Sequence, residues 1–285
     1  MGELYSHSRL SSFEHCPKKF EYRYVLRVPS ESESIEGFVG KRVHEVLERL
    51  YRAAGRDHVP TVAQVVQRYR QLFDDAYDPQ RVRIVRSDTP LEDYRASGER
   101  GLVNYYRRFY PFDSDETLGL EERVVFNLDR DGAYVIQGVI DRIVRARDEA
   151  IEIHDYKTAR RVPSQERLDG DRQLALYQLA LAERYGDGQP VRLVWHYVLR
   201  DQVRTSSRTP EQLDDLRGRT MELIDRIRAE TSFEPRPGPL CRWCEYADRC
   251  PANPQRSDAA PVREEPAARQ PSAVATGADE QLELL

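Results

Sequence analysis

Long apolar runs, lysine and cysteine are all scarce in this chain. No stretch approaches the ~20 consecutive apolar residues that a membrane span needs. The opening Met1-Gly2-Glu3-Leu4-Tyr5-Ser6 has no signal-peptide pattern, so a cytoplasmic protein without a membrane partner is expected. The phosphate-cradling pattern G-x-x-x-x-G-K-[ST] is missing, which leaves the chain without a nucleotide-driven motor of its own. An excess of positive charge is missing too. A net charge of -5 and a pI near 5.8 argue against a generally basic protein that coats nucleic acid, although a local basic track runs from Lys18-Lys19 to Arg27. There are four cysteines in 285 residues, and in an intracellular protein disulfides between them are disfavoured.

With 39% hydrophobic and 33% charged residues, the chain can bury a full core. The composition places one domain over residues 1–251 and a tail over 252–285. Ala, Pro, Glu, Arg and Gln dominate the tail through Glu280, so disorder is expected there.

The most informative stretch is Ile136 to Lys157, IQGVIDRIVRARDEAIEIHDYK. Two Val- and Ile-rich runs flank a polar break at Arg147-Asp148-Glu149, the pattern of a β-hairpin. With the turn centred on Asp148, Asp141 and Asp155 face each other with Cβ atoms roughly 5 Å apart. Opposed carboxylates repel, and a hard divalent cation between them would resolve the repulsion. Strand alternation puts Ile151, Ile153, Asp155 and Lys157 on one side, so an ammonium falls beside the proposed metal. Lys157 is one of only 4 lysines against 40 arginines, in a chain that otherwise writes positive charge as a planar fork. A strand-end hairpin with two solvated acids and a snorkelling Lys is the plainer alternative.

Around this hairpin the periodicity predicts helices over Gly37–Ala54, Thr61–Tyr77 and Leu91–Tyr110, with a polar, mobile connector from Arg81 to Pro90. His44 lies beside the apolar stripe of the first of these helices. A strand over Leu118–Leu128 and the turn Asp129–Gly132 lead into the hairpin. One long helix from Ser164 to Tyr185 would carry Gln173 and Tyr177 one turn apart. A strand pair, Val191–Leu199 and Val203–Arg208, precedes a last helix capped by Thr209-Pro210 and reaching Ala229. Helix, three antiparallel strands, helix and strand make an α/β order.

Cys241-Arg-Trp-Cys244 and Cys250-Pro251 place three thiols within ten residues, and Cys16-Pro17 supplies the fourth from the other end. Shared ligation of a metal fits such spacing better than disulfides. One CxxC, prolines after Cys16 and Cys250, and a remote fourth ligand favour a 4Fe-4S cluster over tetrahedral zinc, where paired CxxC knuckles are usual.

Taken in order, His44 in GKRVHEVLE, Asp141 in GVIDRI, Asp155 and Lys157 in DYK, and Gln173 and Tyr177 in QLALY resemble the motifs of PD-(D/E)XK nucleases of the RecB type. SRLSSFEHCPKKFEYRY and CRWCEYADRCP are similar to the iron-staple subgroup, which includes CRISPR-adaptation nucleases and the nuclease domain of AddB. The resemblance spans Tyr5 to about Pro251. It implies a restriction-endonuclease-like α/β core, here with a helical insertion at about 55–111, and a cysteine-ligated staple joining the terminal segments. It also implies a DNA nuclease, a single-strand exonuclease of repair or recombination, and the missing motor leaves the unwinding of duplex to a partner helicase. His44, Asp141, Asp155 and the backbone carbonyl of Tyr156 would hold Mg2+ or Mn2+. Lys157, with Gln173 and Tyr177, would serve the chemistry. Spacer-precursor trimming, a catalytically silent iron-sulfur DNA-binding protein and a zinc-stapled enzyme of another kind stay open. The last residues, Gln281-Leu282-Glu283-Leu284-Leu285, are similar to peptides that dock on the replication sliding clamp.

Overall fold

In the computed structural model, which describes residues 3–186 and 188–253, the Asp148-centred turn forms as the sequence requires. Strands β5 (Val135–Arg145) and β6 (Ile151–Lys157) pair antiparallel, Arg145 opposite Ile151 and Arg142 opposite His154, and Ala146 N–H donates to Ala150 O at 2.9 Å to close the hairpin. β4 (Glu116–Asn127) runs antiparallel along the whole other edge of β5. The two-residue β1 (Leu4–Tyr5) joins β5 in parallel at Val135 and Ile136. Since β4 fills one edge, β1 and β6 must share the other, and the gap between them falls at residues 137–141. Asp141 sits at that fork.

Beyond β6 the sheet turns parallel to β7 (Val191–Tyr197) and antiparallel again to β8 (Gln202–Ser206). The result is the expected mixed α/β architecture, with a six-stranded mixed sheet.

Helices cover both faces, and β6 is largely buried on both sides. Ile151 and Ile153 pack with Leu193 and Trp195 beneath α7 (Arg172–Tyr185), whereas Tyr156 packs with α3 (Ile35–Ala54), α4 (Val62–Ala76) and α5 (Leu91–Phe109). Near the chain's start, α1 (His7–His15) and α2 (Pro17–Phe20) lie against α8 (Pro210–Ala229) and β1. A polar cluster is buried on the α3 face. Arg142, 3% exposed, stacks its guanidinium 3.9 Å from the centroid of Tyr51 and donates to His154 Nδ1 at 3.2 Å. His154 in turn stacks on His196, with 2.7 Å between Nδ1 and Nε2.

Two expectations need correction. The helix over Ser164–Tyr185 is two: α6 (Gln165–Asp169) ends at Gly170, and Asp171 caps a new start. An Asp whose carboxylate accepts from Gln173 N–H gives the backbone a competing arrangement that outweighs continued helix. The connector at 81–90 is not wholly loop either, because β3 (Val82–Arg83) pairs in parallel with β2 (Glu33–Ser34) and buries Val82. Among the described residues no helix is long and apolar enough to cross a membrane. The tail expected to be disordered, with Gln281, Leu282, Leu284 and Leu285, lies outside the described residues.

Candidate active site

Helix α3 brings His44 to the sheet. Ser34 caps it by accepting from Gly37 N–H, and Val39, Val43, Val46, Leu47 and Leu50 are buried along one stripe, which leaves His44 at the margin. Gly40 allows the approach, since a Cβ there would stand 3.0 Å from Thr158 Oγ1 at the end of β6. His44 Nε2 lies 2.6 Å from Tyr156 O, an atom that can only accept, so Nε2 carries the hydrogen. Nδ1 faces Asp141 Oδ2 at 3.5 Å and Glu121 Oε1 at 4.0 Å. Burial pushes the imidazole pKa down, but the hydrogen bond and charge of Asp141 more than reverse this and raise it to about 9. Without a cation, His44 therefore holds a proton against the acids.

The ladder of β5 and β6 stops at Arg142 and His154, and the same register runs on to Asp141 and Asp155. There the strands part. Tyr156 N–H, freed from the ladder, donates to Asp141 Oδ2 at 2.7 Å. Across β5 from Asp141 stands Glu121, between the pairs Leu120–Arg142 and Glu122–Ile140. Its φ of +47° is left-handed, a conformation that costs a non-glycine residue of order 1–2 kcal/mol. Burial, followed by the charge of Asp141, raises its carboxyl pKa to about 7. Sequence reasoning missed Glu121. One of two adjacent glutamates on a strand carries no signal of a twisted backbone.

Asp155 is 4% exposed on the opposite side of β6 from Tyr156. Its Oδ1 accepts from Lys157 Nζ at 3.0 Å and from Gln173 Nε2 at 3.1 Å. Oδ2 lies 2.8 Å from the same ammonium but outside hydrogen-bonding geometry, so this buried oxygen has no hydrogen-bond partner. Lys157 also donates to Gln173 Oε1 at 2.8 Å. Burial disfavours the ammonium, yet the charge of Asp155 outweighs it and raises the Lys157 pKa. The Asp155 carboxyl is raised as well, first by burial and then, with Lys157 opposing, by Asp141. Tyr177, one turn along α7 from Gln173, packs on Gly138, where a Cβ would collide with the phenol ring and stand 2.9 Å from its hydroxyl.

Among the described residues, His44, Glu121 and Asp141 are the group whose ligand atoms all lie within 4.8 Å of one another. One imidazole and two carboxylates form a donor set suited to a hard divalent cation, and Asp155, expected as a ligand, lies outside that group. The thiols are arranged differently. Lys19 pairs with Glu245 at 2.7 Å, and Tyr22 Oη donates to Arg249 O at 3.1 Å, so the segments bearing Cys16 and Cys241 to Cys250 pack together. Cys16 Sγ accepts from Arg236 N–H at 3.4 Å and Cys241 Sγ from Gly238 N–H at 3.3 Å. All four cysteines are free thiols.

The chain is similar to solved structures and to a family model. A crystal structure titled "Putative exonuclease", from Eubacterium rectale, superposes with a TM-score of 0.51 at 15% identity, covering 91% of each chain. The crystal structure of SSO0001 gives a TM-score of 0.40 at 13% identity, covering 88% of this chain and 86% of that one. No curated protein matches. The family model of the PD-(D/E)XK nuclease superfamily matches residues 5–251, which contain the fork at Asp141, the Asp155-Lys157 pair and Gln173; the chain belongs to that superfamily.

Proposed function

We propose that the chain is a metal-dependent deoxyribonuclease of the RecB type, acting as an exonuclease on single-stranded DNA in repair or recombination. The observation that carries the reading is the ion pair of Lys157 and Asp155 beside the fork that holds Asp141 and His44. His44, Asp141, Asp155 and the Tyr156 carbonyl would hold the cation, and Glu121 joins them as a fifth candidate. When bound, the cation supplies Lewis-acid stabilisation of the charge building on the phosphate and lowers the pKa of water. Lys157, whose raised pKa keeps it charged, donates toward the attacking water and the scissile phosphate rather than taking a proton. Gln173 fixes that ammonium from the other side, and Tyr177 backs Gln173 against the sheet.

A 4Fe-4S cluster on Cys16, Cys241, Cys244 and Cys250 is part of the proposal. In support stand the single CxxC, the packing of the two segments and the N–H groups aimed at sulfur. The test of the nuclease reading is metal-dependent nucleotide release from end-labelled single-stranded and duplex DNA by the wild type, Lys157→Ala and Asp155→Ala. Equal rates in all three would remove the pair from the chemistry and the reading with it.

A further inference from the structure

A cleft of about 560 Å³ opens beside the N-terminal half of α3. Three distant parts of the sequence build it. Lys19 and Arg23 come from the segment after Cys16, Arg81 and Arg83 from the β3 end of the helical insertion, and Trp243 from the cysteine segment. Lys41 of α3 completes the rim. Five basic residues line the cleft against the acids Glu31, Glu33 and Glu245, so it is locally positive in a chain whose net charge is -5.

Several of these charges are held in place. Glu245 pairs with Lys19 at 2.7 Å and Arg23 at 3.5 Å, and Arg83 donates to Cys244 O at 3.0 Å. Lys41, with a side chain 61% exposed, pairs with Glu33 at 2.7 Å, and Arg81 is exposed. The cleft adjoins the candidate site. Gly37 and Lys41 lie on the same stripe of α3 as His44, and a rise of about 1.5 Å per residue puts Lys41 about 4.5 Å from His44 along the axis.

Cations that could follow a phosphate backbone, beside an aromatic ring that could take a base, make the arrangement that binds unpaired nucleic acid. We propose that this cleft seats the nucleotides next to the scissile phosphate of a single strand, with Lys41 and Arg81 on phosphates and Trp243 stacked on a base. The proposal rests on the nuclease reading and extends it. It gives the insertion a task, because β3 forms one wall. The volume falls in the range of small-ligand pockets and suits roughly one or two nucleotides rather than a duplex.

Fluorescence anisotropy of a labelled oligothymidylate with the full-length protein, without added divalent metal, tests this. The double substitution Lys41→Glu with Arg81→Glu should weaken binding tenfold or more. It should also flatten the plot of log affinity against log salt by about 0.7 for each phosphate no longer neutralised. Trp243→Ala should cost about tenfold. Arg219→Glu, on α8 with a side chain 69% exposed, reverses one charge away from the cleft and should change affinity less than twofold. A bromodeoxyuridine-substituted strand should photocrosslink to Trp243. The proposal is overturned if the double variant and Arg219→Glu weaken binding equally, if the crosslink maps away from the cleft, or if inorganic phosphate at low millimolar concentration displaces the strand completely. Failure of the two readings separates cleanly. Strand binding lost in the cleft variants of a protein that hydrolyses nothing refutes only the nuclease reading, whereas metal-dependent hydrolysis with unaltered binding in those variants refutes only the cleft.

Discussion

Gln173 Oε1 accepts a hydrogen bond from Lys157 Nζ at 2.8 Å, while the amide's other end donates to the acid that Lys157 pairs with. One side chain thus fixes the spacing of an ammonium and a carboxylate that burial would otherwise drive toward neutrality. Gln173→Ala should lower kcat for single-stranded DNA roughly 10- to 100-fold, the usual cost of losing such a support. Lys157→Ala should cost on the order of 10²- to 10⁴-fold. Lys157→Arg should not rescue it, because the planar fork cannot occupy the same point between Asp155 and Gln173. Rates measured with Mn2+ on end-labelled strands check all three.

Metal binding should depend steeply on pH. In the metal-free protein His44 keeps its proton up to about pH 9 and Glu121 up to about pH 7, so an arriving cation must displace both. Affinity should rise up to about 100-fold per unit below pH 7, about tenfold per unit from 7 to 9, and level off above. The sign also governs stability. The raised His44 pKa stabilises the metal-free fold below the unfolded value near 6.5, and that contribution fades as pH rises through about 9. Calorimetry at pH 6.5 and 8.5 in buffers of different ionisation enthalpy counts the released protons, and zero release at both would contradict the geometry.

Gly138 is a packing test. A methyl group there meets the ring of Tyr177, so Gly138→Ala should destabilise the fold by about 1–3 kcal/mol. Pairing it with Tyr177→Phe should recover little, because the clash involves ring carbons as well as the hydroxyl. Chemical denaturation of the two variants would show it.

Among the described residues no carboxylate pairs with the buried Arg142, which is held by the face of Tyr51 and by His154. Arg142→Ala should cost roughly 2 kcal/mol or more. Arg142→Lys should fall well short of wild type, since an ammonium neither stacks on Tyr51 in the same way nor reaches His154. The midpoint of urea unfolding reads the difference.

Anaerobically purified wild type should be brown with a broad visible absorbance, and Cys16→Ser or Cys250→Ser should bleach it. A colourless protein that contains zinc would refute the cluster.

Much of this was legible in the sequence. The register that sets Asp141 against Asp155 follows from a turn centred on Asp148, because strand periodicity leaves no freedom once the turn is placed. Alternation likewise put Asp155 and Lys157 on one side. What escaped is local and nonperiodic. Glu121 depends on a left-handed backbone that nothing in LEERVV announces. β1 and β3 are two residues each and exist only because a neighbouring strand offers an edge. The break at Gly170-Asp171 did leave a trace, a Gly followed by a capping Asp, which helical periodicity on both sides obscured.

The bond from Tyr22 to the carbonyl of Arg249 joins positions 227 residues apart. A contact of such span pays its loop-closure cost late, after the strands and helices between have found their places. On the ribosome, Cys16 must wait, exposed and without its partners, until almost the whole domain has been synthesised. Insertion of the proposed cluster at that junction would then mark the completion of folding, and chains stalled short of it would be the ones open to oxidation and proteolysis.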